Sequence, residues 1–124
     1  MSTDMTDLLA RAQAIVSDAE RVTKAPLRKV SLPGVTIGLI TLDNGEDHTR
    51  PNTFGPASLL ELNTSIDAAL ADDTIDALAV TGKPFILTAG ADLTSIQGGG
   101  PDAVRTVGEL GHAVFRKLQD GGKP

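Results

Sequence analysis

Cysteine, tryptophan and tyrosine are absent from this chain of 124 residues, and three phenylalanines are its only aromatic side chains. Without cysteine there is no disulfide framework, no thiolate metal site and no cysteine nucleophile, a composition that fits a reducing cytosol. Platforms on which unpaired bases could stack are scarce, and basic residues are the minority, 11 Lys and Arg against 16 Asp and Glu, net −5. Both features speak against a nucleic-acid partner. No apolar run approaches the roughly 18 residues of a membrane span. The first residues, MSTDMTDLLARAQ, are acidic where a secretory signal is basic. The expectation is a soluble, cytoplasmic protein with no membrane partner.

What is present reads as about one domain, long enough to bury roughly two thirds of the surface of its unfolded chain. Leu8, Leu9, Ala12, Ile15, Val16, Ala19 and Val22 recur at three- and four-residue spacing and predict an N-terminal helix with one apolar stripe. Lys29–Leu32 and Val35–Leu42 read as strands joined by Pro33-Gly34, whose fixed and positive φ suit a reversal. A polar stretch runs from Asp43 to Gly55. Pro56 then suits the first turn of a helix with Leu59, Leu60, Leu62, Ile66, Ala69 and Leu70 on its core face, ended by Asp72-Asp73. Ile75–Val80 is a short, nearly continuous apolar run, as in a strand covered on both faces, and Phe85–Leu87 predicts another. Gly98-Gly99-Gly100-Pro101 breaks the chain. Val104, Val107, Leu110, Val114, Phe115 and Leu118 mark a last helix, supported by an Arg105/Glu109 pair four apart. There is no internal repeat.

Several patterns resemble chemistry without completing it. Asp43-Asn44-Gly45-Glu46-Asp47-His48 offers oxygen ligands and an imidazole, yet it has neither the ligand order of a calcium loop nor the paired histidines of a zinc site, and it reads as a solvated loop. His48 and His112 are far apart in sequence, have no evident nucleophile partner, and read as solvent-facing. The triple glycine is not a dinucleotide fingerprint, and Gly82-Lys83-Pro84 is not a phosphate loop.

One stretch stands apart, "TGKPFILTAGADLTSI", residues 81 to 96, where an apolar strand runs into Gly90-Ala91-Asp92 at the start of a helix. The first N–H groups of a helix lack intrahelical acceptors, and small residues let a ligand approach them. Such a corner can hold the oxygen of a thioester as it gains charge, a stabilisation of about 2.7–4 kcal/mol per donor. A tight packing turn between sheet and helix would use the same three residues, and the bare tripeptide favours that second reading.

The stretch resembles the signature of the crotonase (enoyl-CoA hydratase/isomerase) superfamily, a strand ending in Gly-Ala-Asp and an aliphatic residue, here Gly90, Ala91, Asp92 and Leu93. Upstream, "ITLDNGEDHTRPNTFGPASLLELNTSIDAAL" resembles that family's first strand, its Arg-Pro-containing coenzyme-A loop and the helix after it. The Asp-His-Thr-Arg-Pro-Asn-Thr form of the loop is most similar to the hydratase portion of fused 3-hydroxyacyl-CoA dehydrogenase/enoyl-CoA hydratase proteins. The likeness covers about residues 28 to 119.

The resemblance implies an α/β, crotonase-like (ββα)n spiral fold, incomplete at its C-terminus, with an extra N-terminal helix: residues 1–25 as a helical extension and 26–124 as the N-terminal part of the domain. It makes the Ala91 backbone N–H an oxyanion-hole donor and so the one catalytic group of the chain. Asn52, Thr53 and Phe54 would lie along the coenzyme-A groove, with Ala89, Gly90, Asp92 and Leu93 beside Ala91. Thr94 stands where the family often has Lys, so Arg50 and Lys83 are expected near the coenzyme's phosphates. No metal or separate cofactor is implied, coenzyme A being part of the substrate. The implied partner is an acyl-CoA thioester, and the full-length parent would be a homo-oligomer. The implied function is that of a fragment of an enoyl-CoA hydratase of fatty-acid β-oxidation, inactive alone because the family's catalytic glutamates fall beyond Pro124. Two alternatives stay open, a non-catalytic acyl-CoA-binding or assembly module or remnant, and another crotonase reaction such as double-bond isomerisation.

Overall fold

The structure, a computed structural model, describes residues 4–124. Residues 1–3 of the expected N-terminal extension lie outside the described residues. The chain opens with α1 (Met5–Ala14), capped by Asp4, whose carboxylate accepts the Thr6 N–H at 3.0 Å. Leu8 and Ala12 of its apolar stripe are buried in the common core. The predicted helix through Val22 is cut short, because Ile15 leaves helical geometry at φ −103°, ψ 3°. Residues 17–24 instead form a strap whose side chains fasten other segments. The Glu20 carboxylate accepts the Ala57 and Ser58 N–H groups at 2.8 Å each and the Ser58 hydroxyl at 2.6 Å. Those three bonds sit at a helix N-terminus, where negative charge is favoured, and a continued helix could not make them.

Strands β1 (Leu27–Leu32) and β2 (Val35–Thr41) pair antiparallel as predicted, turning at Pro33-Gly34 with Gly34 at φ 79°. Helix α2 (Pro56–Ala71) starts with proline in its first turn and ends at Asp72, also as predicted. It returns the chain to β3 (Ala77–Thr81), which pairs parallel with β2, so the sheet order is β1-β2-β3. The strand-strand-helix order is thus completed once and begun again. One sheet face, through Leu27, Ile40, Leu78 and Val80, packs against Leu59, Leu62 and Ile66 of α2. The other, with Val30, Ile37, Leu39, Ala77 and Ala79, takes no part in the core and stays half-buried. β3 is therefore not covered on both faces, contrary to its sequence pattern.

Residues 85–87 are not a strand. Lys83 and Ile86 form a single bridge around Pro84-Phe85, with Phe85 at φ 76°, the proline-then-positive-φ order of a type II turn. That turn leaves Phe85 almost wholly exposed. After a four-residue helix α3 (Leu93–Ile96), the glycine break leads into α4 (Gly100–Asp120) with proline in its first turn. Ala103, Val107, Leu110 and Val114 are buried, whereas Val104 and Phe115, predicted on the same face, stand at its exposed margins. Glu109 does not pair with Arg105 but with Arg11 of α1 at 2.9 Å, which ties α4 to α1. The chain then turns back, and the Pro124 carbonyl accepts the Leu78 N–H of β3 at 2.8 Å.

Candidate functional site

The Gly-Ala-Asp corner is built by two extended segments and the strap. Residues 52–54 and 89–92 run side by side: the Asn52 carbonyl accepts the Ala89 N–H, the Phe54 N–H donates to the Gly90 carbonyl, and the Phe54 carbonyl accepts the Asp92 N–H, each at 2.8 Å. Phe54 and Ala91 form a parallel bridge. In such a ladder alternate residues turn their polar groups to opposite edges, so with Gly90 and Asp92 bonded to Phe54, the Ala91 N–H points away from it. Among the described residues the Ala91 N–H has no hydrogen-bond acceptor. Gly90 makes the corner possible, since its φ of 90° is the left-handed region that side chains disfavour.

The corner differs from the expectation of several free helix N–H groups. Asp92, buried as the cap of α3, takes the Thr94 and Ser95 N–H groups on Oδ1 and the Arg21 N–H on Oδ2, at 3.1, 3.3 and 3.1 Å. The carboxylate thus takes two N–H groups of the helix start and pins the strap, and among the described residues the N–H groups of Gly90, Ala91 and Leu93 have no acceptor.

Beside Ala91 a cleft of about 240 Å³ opens between the corner and α4. Phe54, Leu59, Val107 and Phe115 give it apolar walls, and the rings of Phe54 and Phe115 meet edge to face at 5.6 Å. The α4 side is lined by Gly108, Gly111, His112 and Phe115, one helical face at three- and four-residue spacing. A Cβ at Gly108 would meet nothing within 4 Å, and one at Gly111 only Leu59 at 3.9 Å, so the glycines leave open space. An apolar cleft bordered by backbone N–H groups without acceptors, those of Gly90 and Ala91, can take a carbonyl oxygen with a short apolar chain behind it.

The other expected site residues divide. Phe54, Gly90 and Ala91 line the cleft. Ala89 enters through its N–H bond to Asn52, and Leu93 is exposed on α3 just beyond. The Thr53 carbonyl accepts the Thr23 hydroxyl of the strap at 2.7 Å. Asn52 is fully buried, and its amide is spent on the protein itself. Its Nδ2 donates to the Leu42 and Leu87 carbonyls at 2.8 and 2.9 Å, and its Oδ1 accepts the Asn44 N–H at 2.9 Å. It fixes the two extended segments against the end of β2.

Lys83, expected near a phosphate, is held inside the 43–50 loop. Its ammonium donates to Asn44 Oδ1 and to the Asp47 and Arg50 carbonyls at 2.7, 2.9 and 2.7 Å. Glu46 lies between Arg21 at 3.1 Å and Arg50 at 3.8 Å. Bonds from the Thr49 hydroxyl and N–H hold the Asp47 carboxyl below its ordinary range. His48 and His112 are both exposed, as expected, and His48 packs edge-on against Phe85 at 5.5 Å. Among the described residues no cluster of His, Asp and Glu could hold a metal ion, and no helix is long and apolar enough to cross a membrane.

Sequence reasoning passed over Glu20 and Gly55, which form the α2 cap, and Gly108 and Gly111, which line the cleft, and it read His112, a third lining residue, only as solvent-facing. The last three carried a legible signal, since with Phe115 they fall on one face of a helix whose existence was clear. The role of Glu20 had none, because the segment holding it was read as helix.

No protein-family model matches the chain, and no curated protein matches it in sequence. Solved structures do. An enoyl-CoA hydratase/isomerase family protein from Silicibacter pomeroyi superposes with a TM-score of 0.61 at 27% identity, over 80% of this chain and 39% of that one. DspI of Pseudomonas aeruginosa gives 0.64 at 30% identity over 85% and 39%. A probable enoyl-CoA hydratase from Mycobacterium tuberculosis gives 0.64 at 28% over 80% and 39%. Over about two-fifths of the length of these structures, the chain has the α/β crotonase fold of the enoyl-CoA hydratase/isomerase proteins it resembles.

Proposed function

We propose that this chain forms the thioester-binding half of an enoyl-CoA hydratase/isomerase site, with the Ala91 N–H as an oxyanion donor. The observation that carries the reading is the orientation of that N–H: the ladder with Phe54 turns it away from its neighbours, and Ala91 lines an apolar cleft. A thioester carbonyl seated there would gain a hydrogen bond that strengthens as its oxygen becomes negative. Phe54, Leu59, Val107 and Phe115 would surround the acyl carbons nearest the sulfur. The coenzyme would run outward past Leu93 and the 43–50 loop, where Arg21 and Arg50 are the half-exposed cations. The parent reaction is reversible addition of water to a trans-2-enoyl-CoA in cytoplasmic fatty-acid β-oxidation, in a longer homo-oligomeric enzyme that carries a hydroxyacyl-CoA dehydrogenase as well.

Hydration needs one group to position water and another to protonate the α-carbon. Each of the four glutamates is engaged elsewhere: Glu20 at the α2 N-terminus, Glu46 with Arg21, Glu61 with Lys24, and Glu109 with Arg11. None lines the cleft. That observation favours a second reading for the chain on its own, an acyl-CoA-binding module without hydratase activity.

Calorimetric titration tests the proposal. Butyryl-CoA should bind the chain more tightly than free coenzyme A, and Phe115→Asp, which puts a charge at the cleft wall, should remove the difference. Equal affinity for the thioester and for coenzyme A alone would refute the acyl cleft.

A further inference from the structure

Of the three asparagines, Asn52 and Asn63 are buried and each precedes a threonine, whereas Asn44 is half-buried and precedes the exposed Gly45. Gly45, at φ 81°, leaves its peptide nitrogen unscreened by a Cβ, within reach of the side chain before it. The surrounding contacts fall on the atoms that a bond between them would involve. The Gly45 N–H donates to Asp43 Oδ1 at 2.8 Å, which sets a carboxylate base on the nitrogen. Asn44 Oδ1 accepts the Lys83 ammonium at 2.7 Å and the Glu46 N–H at 3.0 Å, two donors on the oxygen that gains charge if the amide carbon is attacked. Asn44 Nδ2 donates to the Arg50 and Pro51 carbonyls at 3.1 and 3.2 Å. Main-chain bonds fix the frame: Asp43 exchanges both of its bonds with Lys24 at 2.8 and 2.9 Å, and the Asn44 N–H donates to Asn52 Oδ1 at 2.9 Å. A nitrogen with a base beside it and an amide carbonyl with two donors make up the parts of an acyl transfer.

We infer that Asn44 is a self-modification site: the folded chain converts its own Asn44-Gly45 pair to a succinimide and then to aspartate or isoaspartate, with release of ammonia. Asp43 takes the Gly45 proton as the nitrogen's electron pair forms a bond to Asn44 Cγ, and the carbonyl π pair moves onto Oδ1, held by Lys83 and the Glu46 N–H. When that pair returns, the Cγ–Nδ2 bond breaks, Lys83 supplies a proton, and the nitrogen leaves as ammonia. Water passes the proton on Asp43 back to the Lys83 amine. A second water opens the ring at either carbonyl. The net reaction is hydrolysis of one amide, and no oxidant or reductant takes part. The product takes two donors from the Arg50 and Pro51 carbonyls and sets a carboxylate against them, so the 43–50 loop loosens there. The inference is independent of the thioester reading.

The test incubates the full chain at neutral pH and follows Asn44 by peptide mass spectrometry, as the replacement of NH2 by OH, with released ammonia assayed alongside. The reference is the same chain unfolded in guanidinium chloride, where the pair has neither base nor donors. The folded chain should convert Asn44 at least about tenfold faster than the unfolded one, which is about 1.4 kcal/mol of barrier, while Asn52 and Asn63 stay intact. Asp43→Ser, whose hydroxyl oxygen can still accept the Gly45 N–H but is no base, should return the rate to that of the unfolded chain with the circular dichroism unchanged. Lys83→Met should do the same, and Lys83→Arg, which keeps a cation on Oδ1, should retain part of the acceleration. Folded Asn44 converting no faster than in the unfolded chain, or Asp43→Ser converting as fast as wild type, would show that these bonds only staple the loop, and the inference would be overturned.

Discussion

Gly55 and Glu20 form a coupled pair whose disruption has a calculable cost. Gly55 caps α2 at φ −113°, a conformation any residue adopts, so Gly55→Ala carries no backbone strain and would by chain entropy alone stabilise by about 0.4–1 kcal/mol. Its Cβ, however, would lie 2.5 Å from Glu20 Cδ and 2.7 Å from Ser95 Oγ. The flexible Glu20 side chain must then withdraw and give up its bonds to Ala57, Ser58 N–H and Ser58 Oγ. Bonds to a charged acceptor contribute about 1.5–3 kcal/mol each, but the freed N–H groups at a helix start recover part of this from water, which leaves a net loss of about 2–4 kcal/mol. Steric displacement therefore wins over entropy. Glu20→Ala should cost a similar amount through the same bonds. The double variant should be little worse than either single one, with a coupling of about 1.5–3 kcal/mol. Urea denaturation followed by circular dichroism reads all three, and each variant should melt roughly 10 °C below wild type. Additivity within about 0.5 kcal/mol, or a Gly55→Ala chain as stable as wild type, would show that the strap does not depend on this cap.

Three other outcomes follow from single side chains. Asn52→Leu leaves the Leu42 and Leu87 carbonyls and the Asn44 N–H without partners, so it should destabilise by about 3 kcal/mol or more in denaturant titration, although no ligand atom is lost. Gly108→Ala fills open space on a helix and should raise stability by about 0.5–1 kcal/mol, whereas its methyl group enters the cleft and should weaken butyryl-CoA binding; opposite signs in melting and titration are the mark to look for. The Thr74 hydroxyl, and then the Lys29 ammonium, hold the Asp72 carboxyl well below the ordinary carboxylate range. A carboxyl lowered in the folded state adds stability above its unfolded value, about pH 4, and loses it as pH falls further, so Thr74→Val should flatten the acid side of a stability–pH curve and leave pH 7 to 8 unchanged in slope.

The secondary elements were legible where local chemistry and packing agree. The hairpin at Pro33-Gly34 and the α2 boundaries at Pro56 and Asp72 follow from φ restriction and helix periodicity, which act within a few residues. The failures share one cause, a long-range bond overriding a local pattern. Residues 17–24 keep helical spacing, yet Glu20 gains more from the start of α2, and Phe85–Leu87 looks like a strand until Lys83 is drawn into the 43–50 loop and the chain turns. At the site, the Gly-Ala-Asp motif located the corner, but the role of Asp92 as cap of α3 and the orientation of the Ala91 N–H depend on pairing with residues 52–54. That pairing crosses from one motif to the other and has no signature in either alone. The bare tripeptide thus favoured a packing turn, while the ladder leaves the Ala91 N–H with no partner among the described residues.

The claim that the Ala91 N–H receives a thioester oxygen is tested most directly by its own amide resonance. In a 15N-labelled chain, saturating butyryl-CoA should move the Ala91 amide proton downfield, as a new hydrogen bond requires. The matching thioether, butyl-CoA, has the same chain and coenzyme without the carbonyl; it should perturb the amides of Gly108 and Gly111 but leave that of Ala91 near its free position. An Ala91 amide that responds alike to both ligands, or to neither while the cleft amides shift, would contradict the account.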